Sequence, residues 1–356
     1  MLDIGVSRRH IAAALTLLAF IWLLRFTVFS DGHVAPLLDS EHESDSSLPE
    51  PKLNETTNTV TVTTTTTTTA VSTSIPEPTI LEVPRKYGQI IDRVATITDT
   101  LYTERLIPLI LHYHAVLGPE WPIVFFTSNE TLVQHIMPPP TNTTTTQGNE
   151  TIVTTTPAGS AIWRRAVADG RITIRIIPDQ FNLTSRNGVN LYLSRPWLWE
   201  QLAPATHVLI FQADAMICAN SGRTVEDFLE WDMVGAPLHP RIHYYNGGLC
   251  LRNRTMIMEI LGEGRDWEAD TLSGNWTEGG EDIWFSKQMD LRGAHLPSAQ
   301  EAMLFAAEHP WHIKDSIKPP FGYHKVHKYA AGKMEQIAQW CPEIALAAPG
   351  KLEPST

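Results

Sequence analysis

From residue 93 onward the chain interleaves two apolar patterns. Short uninterrupted runs at 93–99 (RVATITD), 122–127 (PIVFFT), 171–177 (RITIRII) and 207–214 (HVLIFQAD) suit strands covered on both faces. Between them, 104–117, 160–168 and 191–202 carry helical spacing, the last despite Pro196. Strands alternating with helices predict a mostly parallel α/β sheet. After residue 214 the order loosens into a short helix at 224–231, a strand at 233–236, a segment at 246–252 whose last four residues alternate like a strand returning into the sheet, and a helix at 255–261. The second half is therefore expected to be more irregular than the first.

Before residue 84 no core-forming pattern appears. Residues 30–83 are Thr, Ser, Pro and Glu, including a Thr tract at 61–69 broken by one Val. Such a tract reads as an extended, disordered stem. A second Thr-rich stretch, 138–158, interrupts the globular region (84–345) and reads as an exposed loop insertion, and 346–356 reads as a C-terminal tail. Ahead of the stem, Arg8, Arg9 and His10 precede an apolar run at 11–29 that contains a single charge, Arg25. At about 1.5 Å per residue this run is just long enough to cross a bilayer. Basic residues before it and Asp31, Asp39, Glu41, Glu43 and Asp45 after it predict a signal-anchor helix, with tail 1–10 cytosolic and the rest luminal. The expectation is a single-pass type II protein of the Golgi or ER membrane. Cleavage before Asp31 is the rival and would give a secreted protein. Glycosylation sequons at Asn54, Asn129, Asn142, Asn149, Asn182, Asn253 and Asn275 accord with luminal exposure.

Charge and cysteine content narrow the partners. A net charge of −12 over 356 residues argues against nucleic acid, which needs basic surface. Cys218, Cys250 and Cys341 include no CxxC pair and allow at most one bridge, leaving one thiol over.

The candidate chemistry starts at Asp214. An apolar strand ending in a carboxylate puts that group in the crevice where open α/β sheets bind ligands. Gln212, two residues earlier, points to the same side of an extended chain, so the pair offers a hard anionic oxygen and an amide oxygen to a divalent cation. A strand-end Asp capping a turn explains the same residues without a ligand. Asn246-Gly247-Gly248 permits either a tight turn or close approach of a ligand to the main chain, and Arg252 further on has the charge to meet a phosphate or a carboxylate. Glu281 and Asp282 open a helical stretch after Gly279-Gly280; they read either as capping acids or as a general base and anchor for an acceptor hydroxyl. His324 in Phe-Gly-Tyr-His is a candidate metal ligand, with His309, His312 and His327 as competitors.

The order of Gln212-x-Asp214, Gly235-Ala-Pro237, Asn246-Gly-Gly-x-x-x-Arg252, Glu281-Asp282-x-x-Phe285 and Phe321-Gly-Tyr-His324 resembles a family of uncharacterised GT-A-like glycosyltransferase domains common in fungi. The resemblance covers residues 94–328 apart from the Thr-rich insertion. It implies a GT-A-like, Rossmann-like nucleotide-diphospho-sugar transferase sheet with an irregular acceptor half. It implies a nucleotide-sugar donor and a glycan or glycoprotein acceptor. Asp214 and His324 would then hold Mn²⁺ or Mg²⁺, with Gln212 standing where the first Asp of Asp-x-Asp is expected. Asp282 or Glu281 would face the acceptor; Thr98 and Asp99, at the end of the first strand, are donor contacts by position. Two other classes compete. An inactive glycan- or nucleotide-sugar-binding protein of the same fold is favoured by Gln212. A luminal metal-dependent hydrolase lacks HExxH, because Pro240 stands where the Glu should follow His239.

Overall fold

The computed structural model describes residues 88–147, 150–156, 158–313 and 319–348, all within one compact unit, Pro78–Thr356. The apolar runs become β1 (Arg93–Thr98), β2 (Ile123–Thr127), β5 (Ile172–Ile176) and β6 (His207–Phe211). With β8 (Met233–Pro237) and β9 (Tyr245–Asn253) they form a six-stranded sheet in the order β5-β2-β1-β6-β9-β8. The first four strands are mutually parallel, with Ala95 of β1 paired to Ile123 on one side and Leu209 on the other. β9 runs antiparallel to both β6 and β8. Central position explains composition: Val208, Leu209 and Phe211 of β6 are completely buried. Each such side chain contributes about 1.5–3 kcal/mol. A second, small sheet joins β10 (Ala306–Ala307), β11 (Gly322–His324) and β7 (Ala215–Ile217) in that order.

Several local expectations are revised. The single helix expected at 191–202 is two, Arg186–Leu193 and Pro196–Gln201, because Pro196 opens the second at a position where its missing N–H costs nothing. The Thr-rich insertion is exposed but not a loop: Thr141–Gln147 (β3) and Glu150–Thr156 (β4) pair in register as an antiparallel hairpin. β-branched Thr favours a pleated strand, which composition alone masked. At the sequon residue Asn253 the carboxamide is already engaged, accepting the Met256 N–H at 3.2 Å and donating to Asp232 at 2.8 Å as the cap of helix Arg254–Gly262. Cys218 and Cys341 form a disulfide, and Cys250 is the buried free thiol.

The larger correction concerns class and setting. The observed architecture is a mixed α/β sheet; among the described residues no helix is long and apolar enough to cross a membrane. The fold class of the described residues is corrected to that mixed sheet, and none of them carries the transmembrane helix expected in front of a GT-A-like sheet, on which the membrane-anchored partner, the type II topology and the Golgi or ER membrane placement depended. The apolar run at 11–29 and the stem at 30–83 lie outside the described residues.

Candidate functional site

A cleft of about 380 Å³ opens where β1 and β6 end. The loop after β1 supplies Thr98, Asp99 and Leu101; the segment after β6 supplies Gln212, Ala213 and Asp214. Tyr192 and Val189 of helix Arg186–Leu193 and Leu106 and Leu109 of helix Leu106–Leu117 form the sides. Thr98, Asp99, Gln212 and Asp214, all expected on sequence grounds, are thus brought to one cleft. Asp214 is not on the strand itself. β6 stops at Phe211, and Gln212–Asp214 is the turn into β7, closed by the Ala215 N–H donating to the Gln212 carbonyl at 3.0 Å.

Asp214 sits against two nitrogen groups. Its Oδ1 lies 3.4 Å from His324 Nε2 and its Oδ2 lies 3.7 Å from Lys325 Nζ. His324 is 1% exposed; its Nε2 is also 3.3 Å from Gln212 Oε1, and its Nδ1 is 3.4 Å from Glu308 Oε1. The imidazole is therefore held between two carboxylates. Burial pulls its pKa down, but the Asp214 and Glu308 carboxylates beside it outweigh burial and leave it raised. Burial likewise pushes Asp214 up, and His324 and the Lys325 ammonium more than offset it, so Asp214 stays ionised. At Asp99 burial wins: its pKa is raised despite the Leu101 N–H, with the Asp214 charge adding to the effect. Lys325 has φ 49°, a left-handed conformation unusual for a residue with a long side chain. The Lys325 N–H donates to the Asp214 carbonyl at 3.0 Å, which fixes this backbone geometry beside the site.

Glu308 and Lys325 were both missed in the sequence. Glu308 follows the apolar run ending in β10, the same signal that singled out Asp214; the histidines around it drew attention away. It is 2% exposed, its Oε1 accepts from Asn246 Nδ2 at 3.4 Å, and its Oε2 has no hydrogen-bond partner.

The remaining expected residues form a second group contiguous with the first. Gly247 and Gly248 lie inside β9, and neither has a positive φ, so the turn reading is dropped. They are there for room. A Cβ on Gly248 would lie 2.0 Å from His324 Nε2, and one on Gly247 would lie 2.6 Å from Arg252 Nη2. What approaches this backbone is the protein's own side chains. The Gly248 carbonyl accepts the Gln212 N–H at 2.9 Å, and its N–H donates to Asn246 Oδ1 at 2.7 Å. We therefore expect Gly248→Ala to force His324 off Asp214 and to destabilise by about 1–3 kcal/mol. For a domain of this size that lowers Tm by roughly 2–12 °C. Gly262→Ala, where a Cβ meets nothing within 4 Å, should leave Tm unchanged or slightly raised.

Arg252, expected to meet a donor phosphate, does not face the cleft. It is completely buried and makes two parallel bonds to Glu281, Nη1 to Oε2 at 2.7 Å and Nη2 to Oε1 at 3.1 Å. Its guanidinium also lies over the rings of Trp199 and Phe285. Glu281, 2% exposed and committed to Arg252, is closed to any acceptor. Asp282 keeps partial exposure; its Oδ2 accepts the Gly247 N–H and its Oδ1 the Ile283 N–H, each at 2.9 Å. Helix-start acids here fasten β9 to the helix Glu281–Leu291.

The expected manganese centre is not matched by a three-ligand cluster among the described residues. Among the described residues no group of three or more His, Cys, Asp or Glu side chains is placed to hold a metal ion. Asp214 and His324 instead form an ion-paired cluster with Lys325 and Glu308.

Comparison with known proteins adds a family likeness over part of the chain but no activity. A family model described as a protein of unknown function, DUF5672, matches residues 171–324. That span holds Gln212, Asp214, the β9 glycines, Glu308 and His324, and ends one residue before Lys325; it leaves out β1, β2 and everything after His324. Its description names neither a glycosyltransferase nor a fungal group. Comparison with curated proteins finds no match. Among solved structures, the apo form of the glycosyltransferase GlyE of Streptococcus pneumoniae TIGR4 is similar at 9% identity and a TM-score of 0.38. The alignment covers 67% of this chain and 55% of that one. A likeness this distant is a general one to a glycosyltransferase and carries no argument about the reaction.

Proposed function

We propose that this protein transfers a sugar from a nucleotide-diphosphate donor to a hydroxyl of a glycan or glycoprotein. The observation that supports the reading is the cleft at the carboxyl ends of β1 and β6, with Asp214 at its mouth held against His324 and Lys325. Open sheets bind ligands at this crevice. A cavity of about 380 Å³ is of the size that takes a small-molecule cofactor or substrate. Asp214 lines the cleft and holds the partly exposed Lys325 ammonium beside it, which offers positive charge where a diphosphate leaving group develops negative charge, and that is where stabilisation helps transfer most. The buried His324 seats Asp214, Glu308 holds His324 from the other side, and Thr98 and Asp99 meet the donor at the end of β1. Gln212 contributes its amide beside His324. Of the two acids at the start of helix Glu281–Leu291, Asp282 alone is open to an acceptor hydroxyl, and we assign the general-base role to it. Gly248 leaves the room that lets His324 reach Asp214, Gly247 does the same for Arg252, and the Asn246 side chain accepts the Gly248 N–H.

The second reading is a protein of the same fold that binds a nucleotide sugar without turnover, favoured by Gln212 at the position where a second carboxylate would sit. Calorimetric titration with UDP- and GDP-sugars, with and without Mg²⁺, tests the proposal. Saturable binding of one donor, competed by its nucleoside diphosphate, is the expected result. No binding to the folded protein under either condition counts against both readings.

A further inference from the structure

The described chain after the family match continues to residue 348 and is anchored to the domain. Cys341 is joined to Cys218 across 123 residues of sequence, and Cys218 directly follows β7, the strand that begins one residue after Asp214. Beyond the disulfide, Ile344, Ala347 and Ala348 are no more than 2% exposed. The turn Pro342–Leu346 is pinned further by Glu343, whose carboxylate accepts the Ala219 N–H. Asn220 Nδ2 donates to the Trp340 carbonyl at 3.0 Å. The boundary expected at residue 345 therefore falls inside an anchored segment, and the next two residues, Leu346 and Ala347, line the cleft.

With Leu101, Leu106 and Leu109 they supply apolar lining to a cavity that Asp214 and Gln212 also line. We propose that the strap 341–348 is a wall of the ligand cleft, set in place by the Cys218–Cys341 bond, and that Leu346 packs on the flat ring of a nucleoside diphosphate. The proposal rests on the nucleotide reading for the identity of the ring, and on the cleft geometry alone for the wall. A ring packed on aliphatic side chains gains from burial of both faces, and a larger side chain at 346 would occupy its space. Ala345, on the same turn, is exposed and absent from the cleft lining, so it serves as an internal control.

Two measurements decide. UDP and GDP are titrated into wild type, Leu346→Trp and Ala345→Trp. We expect Leu346→Trp to weaken the bound nucleotide at least about tenfold at unchanged Tm. Ala345→Trp should stay within about twofold, as surface substitutions do. In parallel, hydrogen exchange is compared between wild type and Cys218→Ser/Cys341→Ser. Faster exchange at the cleft-lining residues 101–109, as well as in 341–348, is the expected result. If the double variant does not fold, wild type with and without a phosphine reductant gives the same comparison. Equal nucleotide affinity in Leu346→Trp and wild type overturns the contact. Exchange changes confined to 341–348 overturn the wall. If wild type binds neither nucleotide, the ring assignment falls together with the nucleotide reading, and the exchange result alone then accepts or rejects the wall.

Discussion

Arg252→Ala should unfold this protein more readily than any other single change in the site. The guanidinium is completely buried, doubly bonded to Glu281 and packed over Trp199 and Phe285. Removing it leaves the buried Glu281 carboxylate uncompensated. Breaking a buried pair from one side costs about 3–5 kcal/mol. At roughly 2–4 °C per kcal/mol for a domain of this size, the melting temperature falls by about 6–20 °C. Glu281→Gln, which keeps shape and one acceptor, should cost less. Replacing both together by apolar residues of similar volume should recover much of the loss, since no charge is then stranded. Thermal melts of the three variants check this. Were Arg252 a donor ligand, its loss would instead weaken donor binding at little cost in Tm.

Asp214→Asn should act the other way, on function and not on stability. The carboxylate and its partner Lys325 are each about a third exposed, and its other partner, the buried His324, keeps Glu308. Its stability contribution is accordingly about 1 kcal/mol. The substitution removes the charge that seats the Lys325 ammonium beside the cleft. If that ammonium stabilises the departing diphosphate, turnover should fall by about 10²–10³, the loss typical of one electrostatic element of a transition-state site. Steady-state turnover and Tm measured on the same preparation separate this from unfolding.

How much of this was legible in the sequence follows from which forces leave a mark on it. Burial on both faces leaves uninterrupted apolar runs, so β1, β2, β5 and β6 stood out, and the helices between them were found to within a residue or two at most ends. Asp214 and Gln212 were visible because a polar group interrupting such a run is rare. Interactions between distant segments left weaker marks. Glycines in β9 read equally as a turn; only the fold reveals that His324 and Arg252 need the space a Cβ would fill. Arg252 read equally as a phosphate contact or a carboxylate partner because Glu281 lies 29 residues away on a helix that sequence alone cannot place. Lys325 carries no motif of its own, since its role depends on a left-handed backbone conformation. The strap was taken for a tail beyond residue 345 because short Ala-rich turns have no period to read, while the bond that anchors them spans the second half of the chain. Polar composition misled at the Thr-rich insertion, where β-branching favours pairing over disorder.

The account's central claim is that the cleft below Asp214 carries out sugar transfer from a nucleotide-diphosphate donor. The most direct measurement is release of nucleoside diphosphate from a panel of UDP- and GDP-sugars mixed with glycan acceptors, with and without Mg²⁺, on wild type and on Asp214→Asn. The account predicts acceptor-dependent release from one donor by wild type, falling about 10²–10³ in an Asp214→Asn protein that melts at nearly the same temperature. Equal release by the two proteins, or none by well-folded wild type from any donor, would contradict it.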